Sequence, residues 1–510
     1  MDSRTNNSMN GIFYGLFAKL IMMFFPFAIR TIIVRKMGID YAGLNTLFSS
    51  ILSFLSLTEL GVGSTLVYSM YKPVAEDDNP KICALLKLYK KCYLIIGGIM
   101  LVVGMILLPF LPRLVSGNVP IGINLYCLYL IYLLNISLSY FLVGYKSSLF
   151  VAFQKTDIQS KVMLFSYAIM GFLQIISILV LKNYYGYVAC NIIFTLIQNL
   201  LIYVLSKKYF PTIRCEGKLK KSEVIDIFKK TGALASQKIG GTIVGSLDSI
   251  VISAILGLNA VGKYGNYYTI LAALMALIGV YNNAILPSIG NYIVKESKDK
   301  ANVLFINLNF IHIWIVGWIT LCLSGLLQDF ISIWVGNSNL LSISDSMLFC
   351  LYFYSWQFRV LLCNFKDAAG LWTQDVLKPY IASIVNILLN IYLVNKIGIS
   401  GALISTIVCM FFIFFPWEIR VLYKDLFEME MKTFILKEMK WGLIWLAIIV
   451  LFQAIFRLID LRVNFLFTRL IAKILICILI PNALFGYLNK NTSEFEYFKE
   501  KILIFKSRLL

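Results

Sequence analysis

Residues 44–70 read LNTLFSSILSFLSLTELGVGSTLVYSM, a run whose single charged side chain is Glu59. Apolar residues follow one another without the strict alternation of a half-buried strand, so the run reads as a helix. It exceeds the ~20 residues that a helix needs to cross a bilayer core. A strand of a membrane barrel would alternate and end after about ten residues. The polar positions Asn45, Ser49, Ser53, Ser56, Glu59 and Gly63 share a sector of roughly 120° on a helical wheel. A membrane helix with such a stripe turns it toward other helices or a watery cavity, and a carboxylate in it needs a partner.

Runs of the same kind fill the chain on both sides. They cover roughly 11–34, 44–70, 92–112, 123–145, 162–181, 187–205, 231–256, 265–289, 303–327, 345–364, 380–395, 400–423, 441–457 and 463–488. The chain has 510 residues, of which 59% are hydrophobic and 14% charged, against about 45–50% and about 25% in soluble domains. A single soluble core of this size is excluded, because such cores stop growing near ~250–300 residues. Fourteen spans use roughly 280 residues, leaving short loops and no room for a soluble catalytic domain.

The excess of 46 Lys and Arg over 26 Asp and Glu would suggest nucleic acid in a soluble protein. Here it reads as topology. With a cytoplasmic N-terminus, the inside segments carry 32 Lys and Arg and the outside loops eight, the bias of cytoplasmic loops. The stretch 206–230 alone holds eight basic residues. It reads as a linker between halves that touches anionic headgroups, or equally as a plain positive-inside anchor. The expected organisation is an N-lobe over 1–205, the linker 206–230, a C-lobe over 231–423, and two further helices with a cytoplasmic tail over 424–510. The tail is a candidate surface helix. The N-terminus lacks the small-residue cleavage site of a signal peptide. Ten Cys without paired spacing and one His argue against a disulfide framework, a metal site or a hydrolase triad. There is no P-loop, so neither an enzyme nor a bound cofactor is expected.

A shift of 219 residues superimposes several features of the chain without a gap. Gly38 and Gly43 fall on Gly257 and Gly262, Lys19 on Lys238, and Gly117 on Gly336; Asp157 and Asp375 match with a one-residue slip. Coincidence at one shift, in equivalent topological positions, argues for a duplicated six-helix unit. Parallel repeats of this kind mark transporters with a substrate site between the halves.

Charges inside the spans cost about 2.5–3.5 kcal/mol each at the bilayer centre. Lys19 and Lys238 sit at matched depths, as a shared cationic cavity or as two side chains reaching the inner headgroups. Arg30 lies on the face of Lys19 and of Pro26, a helix-bending residue whose counterpart in the repeat is Gly245. Arg30 reads as a cavity residue or as one that snorkels outward. Glu59 is a candidate ion partner of Lys19 or an ion-coupling acid, and Asp248 is a second such acid. Arg359 is a cavity cation or a snorkelling one. His312 reads as a packed neutral ring, and Arg469 with Lys473 as a headgroup groove or a bundle-facing pair.

The stretch from Arg30 through Gly38, IDYAGLNTLFSSILSFLSLTELGVGS and then YSMYKPVAEDD, resembles the bacterial oligosaccharide flippases of O-antigen and capsule clusters. Those belong to the multidrug/oligosaccharidyl-lipid/polysaccharide exporter superfamily. The resemblance implies an all-α polytopic membrane protein with about 14 transmembrane helices: two parallel six-helix lobes in a V, plus two C-terminal helices. It implies transfer of an undecaprenyl-diphosphate-linked oligosaccharide across the bacterial cell membrane by alternating access, and leaves ion coupling open. Implied partners are that lipid-linked substrate, membrane lipids and other polysaccharide-assembly membrane proteins, with no nucleic acid. The alternatives are a lipid II flippase of the same superfamily, a multidrug or cation antiporter, and a non-transport membrane enzyme of polysaccharide synthesis.

Overall fold

The computed structural model describes residues 24–509 apart from Leu60, Asn118 and Asn464. The side chains of residues 58, 230, 233, 234, 236–239, 466 and 504–509 also lie outside the description. Every described element is helical, and no strand occurs among the described residues. The chain divides into two compact units, Met1–Gly265 and Asn266–Leu510.

Ten described helices are long and apolar enough to cross a membrane, and the pair Leu125–Phe141 and Gly144–Ala152, bent by 52°, makes an eleventh candidate. They match eleven of the fourteen apolar runs. The first run is described only from residue 24 and is helical over 24–36. The seventh is the helix Lys221–Leu256, whose apolar portion is Gly240–Leu256.

The second run corrects the expectation of one continuous helix over 44–70. Helix Ile39–Leu55 ends in the 3-10 turn Ser56–Glu59, and a new helix, Val62–Ala75, starts after Gly61. Gly61 has φ +85°, a left-handed conformation that glycine adopts without steric cost. Ser56 Oγ donates to the Ser53 carbonyl at 2.7 Å, competing for a backbone acceptor where the helix ends. Irregular backbone at membrane depth is tolerated where it is buried in protein or lines a cavity, and this break carries Glu59.

In the first unit, Leu66, Met70, Leu86, Tyr145, Phe150 and Ile202 form a buried core. The basic connection lies on that core's helices: Lys87 Nζ donates to the Gly217 carbonyl at 3.1 Å and Lys81 pairs with Glu223 at 2.9 Å. The hydrogen bond from Lys81 holds the Glu223 carboxyl below its usual range. The second unit packs Phe305, Phe365, Phe427 and Phe434 in one cluster and Phe310, Trp441, Trp445 and Phe485 in another. The tail is the helix Ser493–Leu509, whose Phe495 and Phe498 rings lie 5.9 and 5.0 Å from that of Trp314.

The repeat acquires a geometric form. Gly38 and Gly257 have φ +113° and +87°, and Gly117 and Gly336 have +80° and +92°, so matched glycines serve matched turns. A Cβ on Gly43 would stand 2.2 Å from the Leu258 carbonyl oxygen, and one on Gly262 2.6 Å from that of Ile39. The 219-residue shift maps Ile39 onto Leu258 and Gly43 onto Gly262. Each contact is therefore the other with the two copies exchanged, the reciprocity of a two-fold relation.

Candidate binding site

The broken helix places Glu59 at the wall of a cavity of about 190 Å³ that Tyr93, Tyr140, Gln159, Gln198 and Asn199 also line. Tyr93 Oη donates to Glu59 Oε1 at 3.1 Å, and Tyr140 Oη donates to Oε2. Tyr89 Oη donates in turn to Tyr93 Oη at 3.3 Å. The three rings meet edge to face, Tyr89 and Tyr93 at 4.7 Å and Tyr93 and Tyr140 at 5.1 Å between centroids, a favoured geometry for aromatic pairs. Gly63 leaves room for this chain, since a Cβ there would sit 2.8 Å from Tyr89 Oη. Asn199 is pinned on both sides: its Oδ1 accepts from the Val143 amide at 3.1 Å and its Nδ2 donates to the Thr195 carbonyl at 2.8 Å.

Phenols are the carboxylate's only partners among the described residues. Lys19, its expected partner, lies outside them, as does the side chain of Lys238. A carboxylate among phenol, amide and hydroxyl groups suits sugar hydroxyls or a partly dehydrated cation. It repels a diphosphate, which needs cations elsewhere.

The remaining candidates do not converge on this cavity's lining. Arg30 is buried; its guanidinium donates to Thr46 Oγ1 at 3.2 Å and to the Gly262 carbonyl at 2.9 Å, beside the reciprocal glycine contact. Asp248 is fully buried and accepts from Tyr264 Oη at 3.2 Å. Pro26 lies in helix 24–36, and Gly245 lies inside the uninterrupted helix Lys221–Leu256. Arg359, in the second unit, pairs with Glu418 at 3.0 Å. His312 Nε2 stands 2.8 Å from the Gln357 carbonyl, as a packed ring does. Arg469 and Lys473 face the bundle, where they bind Asp329 at 2.6 and 2.8 Å.

Sequence reasoning missed Tyr93 and Tyr140, which carry no signal among so many aromatics. It also missed Glu418 and Lys378. Glu418 had a signal: an acid inside the apolar run 400–423 demands a partner.

A family model described as polysaccharide biosynthesis protein matches residues 8–293, more than half of the chain. Comparison with curated proteins yields no match. Among solved structures, the lipid II flippase MurJ in an inward closed conformation is similar with TM-score 0.67 at 15% identity, over 94% of this chain and 99% of that one. An inward-facing multidrug resistance MATE family transporter of the MOP superfamily is similar with TM-score 0.63 at 12% identity, over 78% and 94%. A Vibrio cholerae MATE transporter is similar with TM-score 0.54 at 13% identity, over 84% and 100%. The helical architecture is that of these polytopic membrane transporters, and the chain belongs to the polysaccharide biosynthesis protein family.

Proposed function

We propose that this protein is a flippase that moves an undecaprenyl-diphosphate-linked oligosaccharide from the cytoplasmic to the outer leaflet of the bacterial cell membrane. The cargo is a repeat unit for surface polysaccharide, O-antigen or capsule, and the cycle is alternating access. The observation that carries this reading is the Glu59 cavity in a member of this family: a polar chamber, built on a broken membrane helix, whose groups match sugar hydroxyls. The diphosphate falls to Lys19 and Lys238, because a mobile ammonium can hold a phosphate and release it. Arg30, in the same unit, extends that cationic set. Glu59 and Asp248 are the acids for ion coupling, and Pro26 and Gly245 the points at which the first helix of each repeat bends.

Purified protein in liposomes, loaded with the lipid-linked oligosaccharide in one leaflet, tests this by lectin access to the other. Wild type should move the substrate. Glu59→Gln should slow it about tenfold, a loss of roughly 1.4 kcal/mol in the transport barrier, while Ser56→Ala stays near wild type. No movement by the wild-type protein would remove the flippase reading. Movement of lipid II instead would replace the substrate. Normal flux from Glu59→Gln would leave Glu59 a packing residue.

A further inference from the structure

A set of buried polar side chains lies inside the second unit, on helices Lys432–Arg462 and Lys298–Val335, which pack together. Glu438, 8% exposed, is its acid. Asn309 Nδ2 donates to Glu438 Oε2 at 2.7 Å. The other carboxyl oxygen, Oε1, is buried with no donor, and Asn309 Oδ1, His312 Nδ1 and Trp445 Nε1 are likewise buried and unpartnered. His312 lies one turn beyond Asn309 and holds its Nε2 against the Gln357 carbonyl at 2.8 Å. A carbonyl only accepts, so that nitrogen bears the hydrogen, and in the neutral ring the buried Nδ1 is an acceptor without a donor.

No cation balances Glu438 among the described residues. Lys437 is bound to Glu494 at 2.5 Å. On helix Leu466–Leu488, Arg469 and Lys473 are bound to Asp329 and Asp460, and residue 460 is about 33 Å along the helix from residue 438. The other titratable groups within electrostatic reach are the phenols of Tyr354 and Tyr423. An ionised carboxylate here would face desolvation with one amide donor to offset it, whereas a neutral carboxyl needs no counter-ion.

We propose that Glu438 is a proton-binding site. An O–H bond forms at the unpartnered carboxyl oxygen, the side chain passes from −1 to neutral, and the proton comes from and returns to water. Asn309 Oδ1 and His312 Nδ1 are buried acceptors without donors on the helix that packs against that of Glu438. Glu438 itself lies beyond the duplicated region, while Asn309 and His312 belong to a helix within it. The site stands independently of the transported molecule.

Glu438→Gln keeps the shape of the neutral acid, and infrared spectroscopy of the purified protein in lipid reads the proton directly. At neutral pH the wild type should show a protonated-carboxyl C=O stretch that Glu438→Gln loses. Asn309→Leu removes the one donor that favours the carboxylate, and the band should then persist to about tenfold lower proton concentration, one pH unit. Identical carboxyl bands in wild type and Glu438→Gln would overturn the assignment. If Glu438→Gln does not fold, a band whose titration Asn309→Leu leaves unmoved overturns it equally.

Discussion

Glu418, 1% exposed, accepts from both Arg359 at 3.0 Å and Lys378 at 2.8 Å. Lys378 and Lys366 share Asp375 at 2.6 and 2.5 Å, and the Arg359 guanidinium lies 4.5 Å from the centre of the Phe414 ring. Such a network is not in itself proof of stability, because desolvation opposes the attraction; removing one member is what costs, by leaving buried charges unmatched. Glu418→Gln should lower the unfolding free energy by about 3–5 kcal/mol, read as a drop in thermal midpoint in detergent. Lys424→Gln, six residues on and exposed, should stay within about 0.5 kcal/mol. Equal midpoints for both variants would mean that the network is solvated. Arg359 was legible as a charge inside a span, but its partner, 59 positions away, was not.

The reciprocal glycine contact makes its prediction between elements. With the Leu258 oxygen 2.2 Å from the place of a Cβ on Gly43, even alanine forces helix Ile39–Leu55 away from the chain at 258. Overpacking of this kind costs about 1–3 kcal/mol. Gly262→Ala should cost a similar amount, because the Ile39 oxygen meets it in the same way. Gly98→Ala meets nothing within 4 Å in helix Asn79–Leu107 and should be neutral or stabilising by up to about 1 kcal/mol. Thermal unfolding of the three variants checks this, and a loss at only one of Gly43 and Gly262 would refute the reciprocity. The glycine spacing was visible in the sequence; that the two copies touch was not, since a shift along the chain says nothing of contact.

For the whole molecule, the distribution of Lys and Arg makes the prediction. Single cysteines in 206–230, in a background cleared of the ten native cysteines, should react only with reagents that reach the cytoplasm. Cysteines at Asp40 and Asn337 should react only from outside. Labelling of 206–230 from the outer face would overturn orientation and span count together. The tertiary structure adds that this basic stretch is no free tether, since Lys87 and Gly217, and Lys81 and Glu223, bind it to helix Asn79–Leu107.

Helical class and the positions of most spans were readable from the amino-acid order because each is local. Hydropathy accumulates over some twenty neighbouring residues, and the matched glycines answer to backbone conformation at their own positions. The break at Ser56–Gly61 was half legible: two serines and two glycines weaken a helix, but an apolar context can override them. What Glu59 binds was decided by the fold alone, since Tyr93 and Tyr140 lie 34 and 81 positions away. The same holds for Asn309 and Glu438, 129 positions apart. A buried charge announces that it needs a partner, and only the packing of helices distant in the chain determines which side chain, phenol, amide or ammonium, meets it.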